Sequence, residues 1–500
     1  MIPTYITFGL YLAVMFAVGI YFYKKASQNV DAYLLGGRGL GSWVTALSAQ
    51  ASDMSGWLLM GLPGVVYMAG INQAWVAIGL ALGTFLNWII VAPRLRIYTE
   101  KTKSLTLSAF FGRRFRDPTG ILRVLAAIIT LLFFTIYSAS GLVASAKLFE
   151  SMFQLDYKWA VCVSAAVLLG YTILGGYLAV CWTDMLQGLL MFFALVIVPV
   201  MAFRSLEPGA VMAACEARNI TFHLLPQGAG IDPYLAVISM MAWGIGYFGQ
   251  PHIVVRFMSI KSVRLLPRAC TIAMIWVLIS LTAAVVIGIL AIPMYENLTK
   301  ANSEKVFIYM ISNLFNPWLG GVLLAAIMAA IMSTIDSQLL VSSSTLTEDF
   351  YKNVLNRRAG EKELMHLSRF FVLLITVIAA LMALNPNETI FSLVTFAWGG
   401  FGAAFGPVVL MALYSRKTTW QSALCGMVAG TVVMLAWYAA GLGVYMYEIL
   451  PGFLAGLGTI FAVNHYFPQK RSSVLREFDL MEKQLKGGMS ASGAEHTAIR

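Results

Sequence analysis

Charge is scarce in this chain: only 11% of its 500 residues are Asp, Glu, Lys or Arg, against 59% apolar residues. A water-soluble domain carries roughly 25% charged residues. A soluble globule is therefore excluded, and the mean hydropathy of +0.78 names lipid as the solvent. Cysteine is equally sparse. Of the five, Cys162, Cys181, Cys270 and Cys425 lie in or at the edge of apolar runs and Cys215 stands alone in an expected external loop, so no disulfide framework is possible. The five histidines are scattered without a pair at metal-ligand spacing, which argues against a transition-metal centre. No stretch offers the polar constellation of a catalytic domain. The chain reads as a non-enzyme, with no catalytic residues and no cofactor.

What it has instead is a succession of apolar runs, each near the ~20 residues that a helix needs to cross the hydrocarbon core. Thirteen lie roughly at residues 5–23, 43–70, 73–93, 121–149, 158–179, 183–203, 234–255, 270–293, 315–340, 367–384, 389–413, 420–441 and 445–466. The fold expected is an all-α integral membrane protein with about 13 transmembrane helices. The first run reads as a retained helix and not as a signal peptide: no basic residue precedes it, no small-residue cleavage site closes it, and Lys24 and Lys25 follow it. The polar stretch 467–500, rich in Gly, Ser and Ala at its end, reads as a mobile tail.

The net charge of +11 needs no nucleic acid, because it is concentrated in alternate loops. Arg94, Arg96, Lys101, Lys103, Arg113, Arg114 and Arg116 crowd one; Lys261, Arg264 and Arg268 a second; Lys352, Arg357, Arg358 and Lys362 a third; Arg416 and Lys417 a fourth. With thirteen crossings all of these share a side with Lys24, Lys25, Arg38 and the tail from Lys470. The positive-inside rule makes that side cytoplasmic, with the N-terminus outside and the C-terminus inside.

Function should sit where the apolar pattern fails. Residues 49–57 place Gln50, Ser52, Asp53, Ser55 and Gly56 inside a crossing, and an acid at that depth costs about 2.5–3.5 kcal/mol. With Gly61, Pro63 and Gly64 close behind, the helix is expected to break near residues 51–56, freeing backbone carbonyls that only a cavity or a ligand can satisfy. Asp53 alternatively caps a helix half or pairs with a base. In the run 315–340, Ala330, Ser333 and Thr334 stand at i, i+3 and i+4, so a carbonyl and two hydroxyls share one face. These are neutral ligands suited to a monovalent cation that must be released, or hydroxyls that bond back along their own helix. At residues 243–251, Trp243, Tyr247 and Pro251 recur every four residues among Gly244, Gly246 and Gly249, an expected aromatic wall beside a weakened helix. Asp184 lies near the cytoplasmic end of its expected helix, either on an ion path or as a cap.

Taken together, Ala46 through Ala49, Ala51 through Gly64, Phe133 through Tyr137, Gly175 with Gly176, Trp243 through His252, Met332 through Thr334, and Trp398 through Pro407 resemble the sodium/solute symporter family, and within it the bacterial sodium/proline symporters. The resemblance implies a LeuT-type core of two inverted five-helix repeats, at 43–203 and 234–413, within one transmembrane domain spanning 1–466. An extra N-terminal helix at 5–24 and further helices at 420–466 complete it. It implies a monomer in the bacterial cytoplasmic membrane that imports L-proline with Na+ as coupling ion. It assigns sodium to the carbonyls of Ala51, Met54 and Ala330 and the hydroxyls of Ser333 and Thr334. Asp53, Ser55, Gly56 and Asp184 support the ion and solute sites, and Tyr137, Trp243, Tyr247 and Pro251 form the proline pocket. Asp336 departs from the family, which has a small neutral residue there; a structural pairing with a cytoplasmic base is the reading preferred over a second cation or proton site. Another solute of the same family (a different amino acid, pantothenate, a sugar or sialic acid) and a proline-sensing membrane protein are the alternatives.

Overall fold

In lipid a backbone finds hydrogen-bond partners only in itself, so each apolar run winds into a helix. The computed structural model describes residues 2–26, 35–226, 232–356, 358–385 and 389–497; its regular structure is helical, with a single isolated β-bridge, Leu40 to Ile260, among the described residues. Helix α1 (Ile2–Ala26) precedes α2 (Ser42–Asp53), which breaks and resumes through a π-helical turn, Trp57–Gly61, as α3 (Leu62–Ala69). Helix α4 (Ala74–Leu86) runs through a second π turn, Asn87–Val91, into α5 (Ala92–Lys101), and α6 (Leu107–Arg114) leads to the long α7 (Ile121–Phe153). Then come α8 (Tyr157–Ser205), α9 (Ala210–Ala217) and α10 (Pro233–Met241), which continues as a 3₁₀ stretch, Ala242–Gly249, before α11 (Pro251–Ser259). Helix α12 (Leu266–Met294) is followed by α13 (Lys300–Ser303), α14 (Val306–Leu314) and α15 (Pro317–Ser344), the last ending in the π-helical Thr345–Leu355. Helices α16 (Glu361–Ala383), α17 (Ile390–Tyr414), α18 (Trp420–Ala439), α19 (Ile449–Tyr466) and α20 (Ser472–Thr497) complete the chain.

Ten helices among the described residues are long and apolar enough to cross a membrane, and Trp57–Ala69 and Tyr157–Gly170 are shorter apolar helices. Each of the thirteen expected runs falls on a helix. One boundary moves: the fifth and sixth runs are joined within α8 and part at Gly176 (φ 59°, ψ −173°), not at residues 180–182. Thr183 and Asp184, at the start of the sixth expected run, are buried inside the helix, with the Thr183 hydroxyl bonded to the Ala179 carbonyl at 2.9 Å.

Basic residues from distant loops meet at one end of the bundle. Arg38 donates to the carbonyls of Met258 (2.8 Å), Thr99 (3.1 Å) and Ser104 (2.8 Å), Arg96 to Ile260, and Arg114 to Ala412 (2.8 Å). Helix α20 lies on this same end, where a mobile tail was expected. Val474, Phe478 and Met481, at i, i+4 and i+7, are buried, while Glu477, Asp479 and Glu482 pair with Arg116, Arg416 and Arg94. A polar average had hidden this narrow apolar stripe. Cys215 likewise lies buried in α9 instead of in a loop.

Candidate functional site

Helix α2 ends at Met54 (φ −83°, ψ 75°), the centre of an inverse γ-turn in which Ser55 N bonds the Asp53 carbonyl at 3.0 Å. That turn takes from the Ala51 carbonyl the donor an unbroken helix would supply. Leu58 N likewise bonds Ser55 O at 3.0 Å and leaves the Met54 carbonyl without its helical partner. The Ala51 oxygen turns to α15, where Ser333 Oγ lies 2.8 Å away and Thr334 Oγ1 3.3 Å; the same hydroxyls lie 3.1 and 3.2 Å from the Ala330 carbonyl. Four buried neutral oxygens thus share two hydroxyl protons, leaving an excess of lone pairs that suits a desolvated cation. The break is held tightly, since a Cβ on Gly56 would lie 2.9 Å from that of Ala144.

Asp53 faces the other way. Its Oδ2 accepts from the Tyr247 hydroxyl at 2.5 Å, its Oδ1 has no partner, and its carbonyl accepts from Trp57 Nε1 (3.2 Å) and Tyr137 Oη (3.3 Å). It neither caps a helix nor pairs with a base. Ser55 Oγ accepts from Trp57 N at 3.4 Å, so the turn, the indole and the two phenols form one hydrogen-bonded unit.

The second interruption differs from the expected wall. Residues 242–249 are 3₁₀, with about three residues per turn, so Trp243 and Tyr247 do not share one face as they would in an α-helix. Tyr247 reaches Asp53, whereas the Trp243 ring lies 5.2 Å from Phe391, 5.4 Å from Tyr447 and 6.1 Å from Trp57. Trp398 ties the two together: its indole N–H donates to the Trp243 carbonyl at 2.8 Å, and its ring meets that of Tyr247 edge-on at 5.0 Å. This approach needs the glycines, because a Cβ at Gly246 would stand 2.0 Å from Trp398 Nε1 and one at Gly249 2.3 Å from the Phe401 oxygen. Gln250 ends the stretch in an extended conformation (φ −82°, ψ 107°), and Pro251 opens α11.

Toward the basic end, Asp184 accepts from Ser48 at 2.7 Å and pairs with Arg256 at 3.0 Å, both charges fully buried. Arg256 also donates to Ser337 (2.5 Å) and to the His252 carbonyl (2.6 Å), so one guanidinium joins α2, α8, α11 and α15. Asp336, one position from Ser337, makes no ion pair, and both its carboxylate oxygens are buried without a partner. The pairing with a cytoplasmic base is therefore not found among the described residues: Arg256 is committed to Asp184.

The site is sealed. Asp53, Trp57, Tyr137 and Tyr247 are at most 1% exposed. On the side away from the basic loops Glu304 pairs with Lys147 at 2.6 Å while accepting from Ile390 N and Phe391 N at the start of α17. Below Pro251 a cleft of about 10 Å³, lined by Thr106, Tyr177, Arg256 and Ser337 among others, holds space for one water. Its floor is pinned by buried Asp349, which accepts from Thr106 at 2.7 Å and pairs with Arg123 at 2.5 Å.

Two broken helices back to back, one offering bare oxygens and the other aromatic rings, are a carrier's arrangement. The sodium:solute symporter family model matches residues 33–430. The chain belongs to this family. It is 45% identical over 468 residues to the high-affinity proline transporter PutP of Bacillus subtilis, covering 93% of this chain and 98% of that protein. It is 46% identical over 463 residues to the sodium/proline symporter of Escherichia coli K12, covering 91% of each. The fold is that of the substrate-bound, outward-open structure of a Na+-coupled sialic acid symporter, with a TM-score of 0.79 at 19% identity over 94% of this chain and 99% of that one. The core of this symporter-family chain accordingly has the LeuT-type fold.

The structure gathers Ala51, Ala330, Ser333 and Thr334, and separately Asp53, Tyr137 and Tyr247, with Trp243 joined through Trp398. Pro251 lies on the inner cleft and Asp184 with Arg256. Trp57, Trp398 and Arg256 were missed. Arg256 carried the one usable signal, a base immediately after an apolar run, but it resembles any loop cation.

Proposed function

We propose that the chain is a sodium-coupled symporter that imports L-proline across the bacterial cytoplasmic membrane by alternating access, working as a monomer. The reading rests on one observation above all: the Ala51 and Ala330 carbonyls meet the Ser333 and Thr334 hydroxyls at a helix break whose next side chain, Asp53, reaches the aromatic pocket. The two curated relatives, named as proline carriers, support the solute. Na+ binds the Ala51, Met54 and Ala330 carbonyls and the Ser333 and Thr334 hydroxyls, which rotate their protons away and present lone pairs. The ion thereby ties α2 to α15 and fixes the turn at Asp53, Ser55 and Gly56.

With the turn fixed, Tyr137, Trp243, Tyr247 and Pro251 receive proline, whose ammonium and apolar ring suit aromatic faces. Each ligand then raises the affinity of the other by the same factor. Asp336, buried without a counter-ion among the described residues, stands one turn from the ion, and Asp184 exchanges between Arg256 and the departing ion. Rocking of the repeats opens the cleft beneath Pro251. Thirteen crossings place the N-terminus outside and the basic end in the cytoplasm, and each entering Na+ gains about 2.3 kcal/mol per 100 mV of membrane potential.

The test is uptake of radiolabelled L-proline into proteoliposomes with and without an inward sodium gradient, against a panel of competing solutes. Gradient-driven uptake displaced best by proline is expected. Uptake indifferent to sodium, or displaced better by another solute, overturns the proposal.

A further inference from the structure

The end of the molecule that carries the basic loops also carries a feature that ion coupling does not use. Between the start of α18, the end of α19 and the linker into α20 lies a cleft of about 290 Å³, whose lining includes Phe115, Trp420, Tyr466, Phe467, Lys470 and Arg471, with no carboxylate. The neighbouring arginines on this face are neutralised, Arg94 by Glu482, Arg116 by Glu477 and Arg416 by Asp479. The two cations of the cleft are not. Lys470 makes no ion pair among the described residues, and the Arg471 guanidinium donates to a backbone oxygen, that of Arg116. Beside them Tyr466 and Phe467 are 77% and 57% exposed at the very end of a membrane-crossing helix, the depth at which aromatic side chains meet lipid headgroups.

We propose that this cleft seats the phosphate of an anionic phospholipid of the cytoplasmic leaflet, with Lys470 and Arg471 facing the headgroup and Tyr466 and Phe467 flanking its glycerol and upper chains. The leaflet follows from the orientation given above; the chemistry of the cleft does not depend on it. Two uncompensated cations are met by a net negative lipid and not by a zwitterion. A basic pair near such a headgroup corresponds to roughly 30-fold selectivity. Occupancy has a structural consequence, since Arg471 immediately precedes α20: the lipid fixes the start of the helix whose acids clamp α5, the α6–α7 linker and the end of α17.

The experiment is native mass spectrometry of the purified full chain in detergent, titrated with phosphatidylglycerol or phosphatidylcholine of equal chain length. Retention of phosphatidylglycerol at roughly 30-fold lower concentration is expected, falling to within about 3-fold of phosphatidylcholine in Lys470→Gln/Arg471→Gln. A headgroup-photoreactive phosphatidylglycerol, used on the native chain, should crosslink to residues 420–421 or 466–471, and this arm decides even if the double variant does not fold. Equal retention of both lipids, undiminished preference in the double variant, or crosslinks confined to other segments overturn the proposal. So does displacement of the lipid by millimolar inorganic phosphate, which would make the cleft a site for a free anion. None of these readouts involves transport, so their failure leaves the sodium and proline reading intact.

Discussion

The break after α2 and the break before α11 both interrupt apolar helices, yet they gather different chemistry. At the first, a γ-turn at Met54 strips carbonyls of their donors and small residues let α15 deliver two hydroxyls to the Ala51 oxygen. At the second, the backbone tightens to 3₁₀ with no turn until Gln250, and glycines bring Trp398 against it. A gap in a helix is therefore only an opportunity. Small polar neighbours surround one gap with bare oxygens and bulky aromatic neighbours surround the other with rings, and the Asp53–Tyr247 bond joins the two beside the Trp57–Trp243 ring contact.

The comparison is broken most sharply at the ion side. If the proposed ion site is right, replacing both Ser333 and Thr334 by alanine removes two ligands of a buried cation, each worth about 1.5–3 kcal/mol. The half-saturating sodium concentration for uptake should rise by roughly 100-fold or more, while proline binding at saturating sodium changes far less. A shift under threefold would reduce the first break to helix glue. Next in size is Tyr247→Phe, which leaves neither carboxylate oxygen of Asp53 with a donor at a cost of about 1–3 kcal/mol. Because this bond links the breaks and Tyr247 also belongs to the proposed solute pocket, the apparent affinities for proline and for sodium should both fall, that for proline by around tenfold; an unchanged sodium affinity at equilibrium would contradict the coupling.

A smaller and purely structural contrast comes from glycine. Gly246→Ala drives a Cβ to 2.0 Å from a fixed indole, whereas Gly56→Ala meets the Ala144 methyl at 2.9 Å. Overpacking of this kind costs about 1–3 kcal/mol, and thermal unfolding in detergent should show the greater loss at Gly246. The smallest effect is expected beneath the second break. Asp349→Asn weakens the pin that holds Thr106 on the floor of the cleft, so a cysteine placed at Leu340 should react roughly fivefold faster with an impermeant maleimide from the cytoplasmic side. An unchanged rate would mean that the floor opens elsewhere.

Much of this was legible beforehand. The apolar runs coincide with all ten helices that, among the described residues, are long and apolar enough to cross, and the polar gaps at Asp53, at Ser333 with Thr334, and at Trp243 to Pro251 fall where helices break or converge. Helical spacing alone put Ala330, Ser333 and Thr334 on one face; their meeting with Ala51 rested on resemblance until the break was seen. Composition misread α20, where three apolar side chains in a polar stretch suffice to dock a helix, and the 3₁₀ winding at Trp243 escaped because an i, i+4 pattern presumes α geometry. Arg256 was read past because its meaning depends on Asp184, 72 residues away.

Solvent, helix positions and the residues that lipid rejects were thus determined by the sequence itself, since hydropathy and helical period act over a few turns of one chain segment. Which oxygens converge, which acid finds a base and which remains alone were decided only by tertiary structure. Ser333 and Ala51 are 282 residues apart, and a buried polar group takes whatever partner the packing of distant helices brings within reach. Asp53, Asp184 and Asp336 are the same side chain in the same solvent, and they differ only in what was brought to them: a phenol, a guanidinium and nothing.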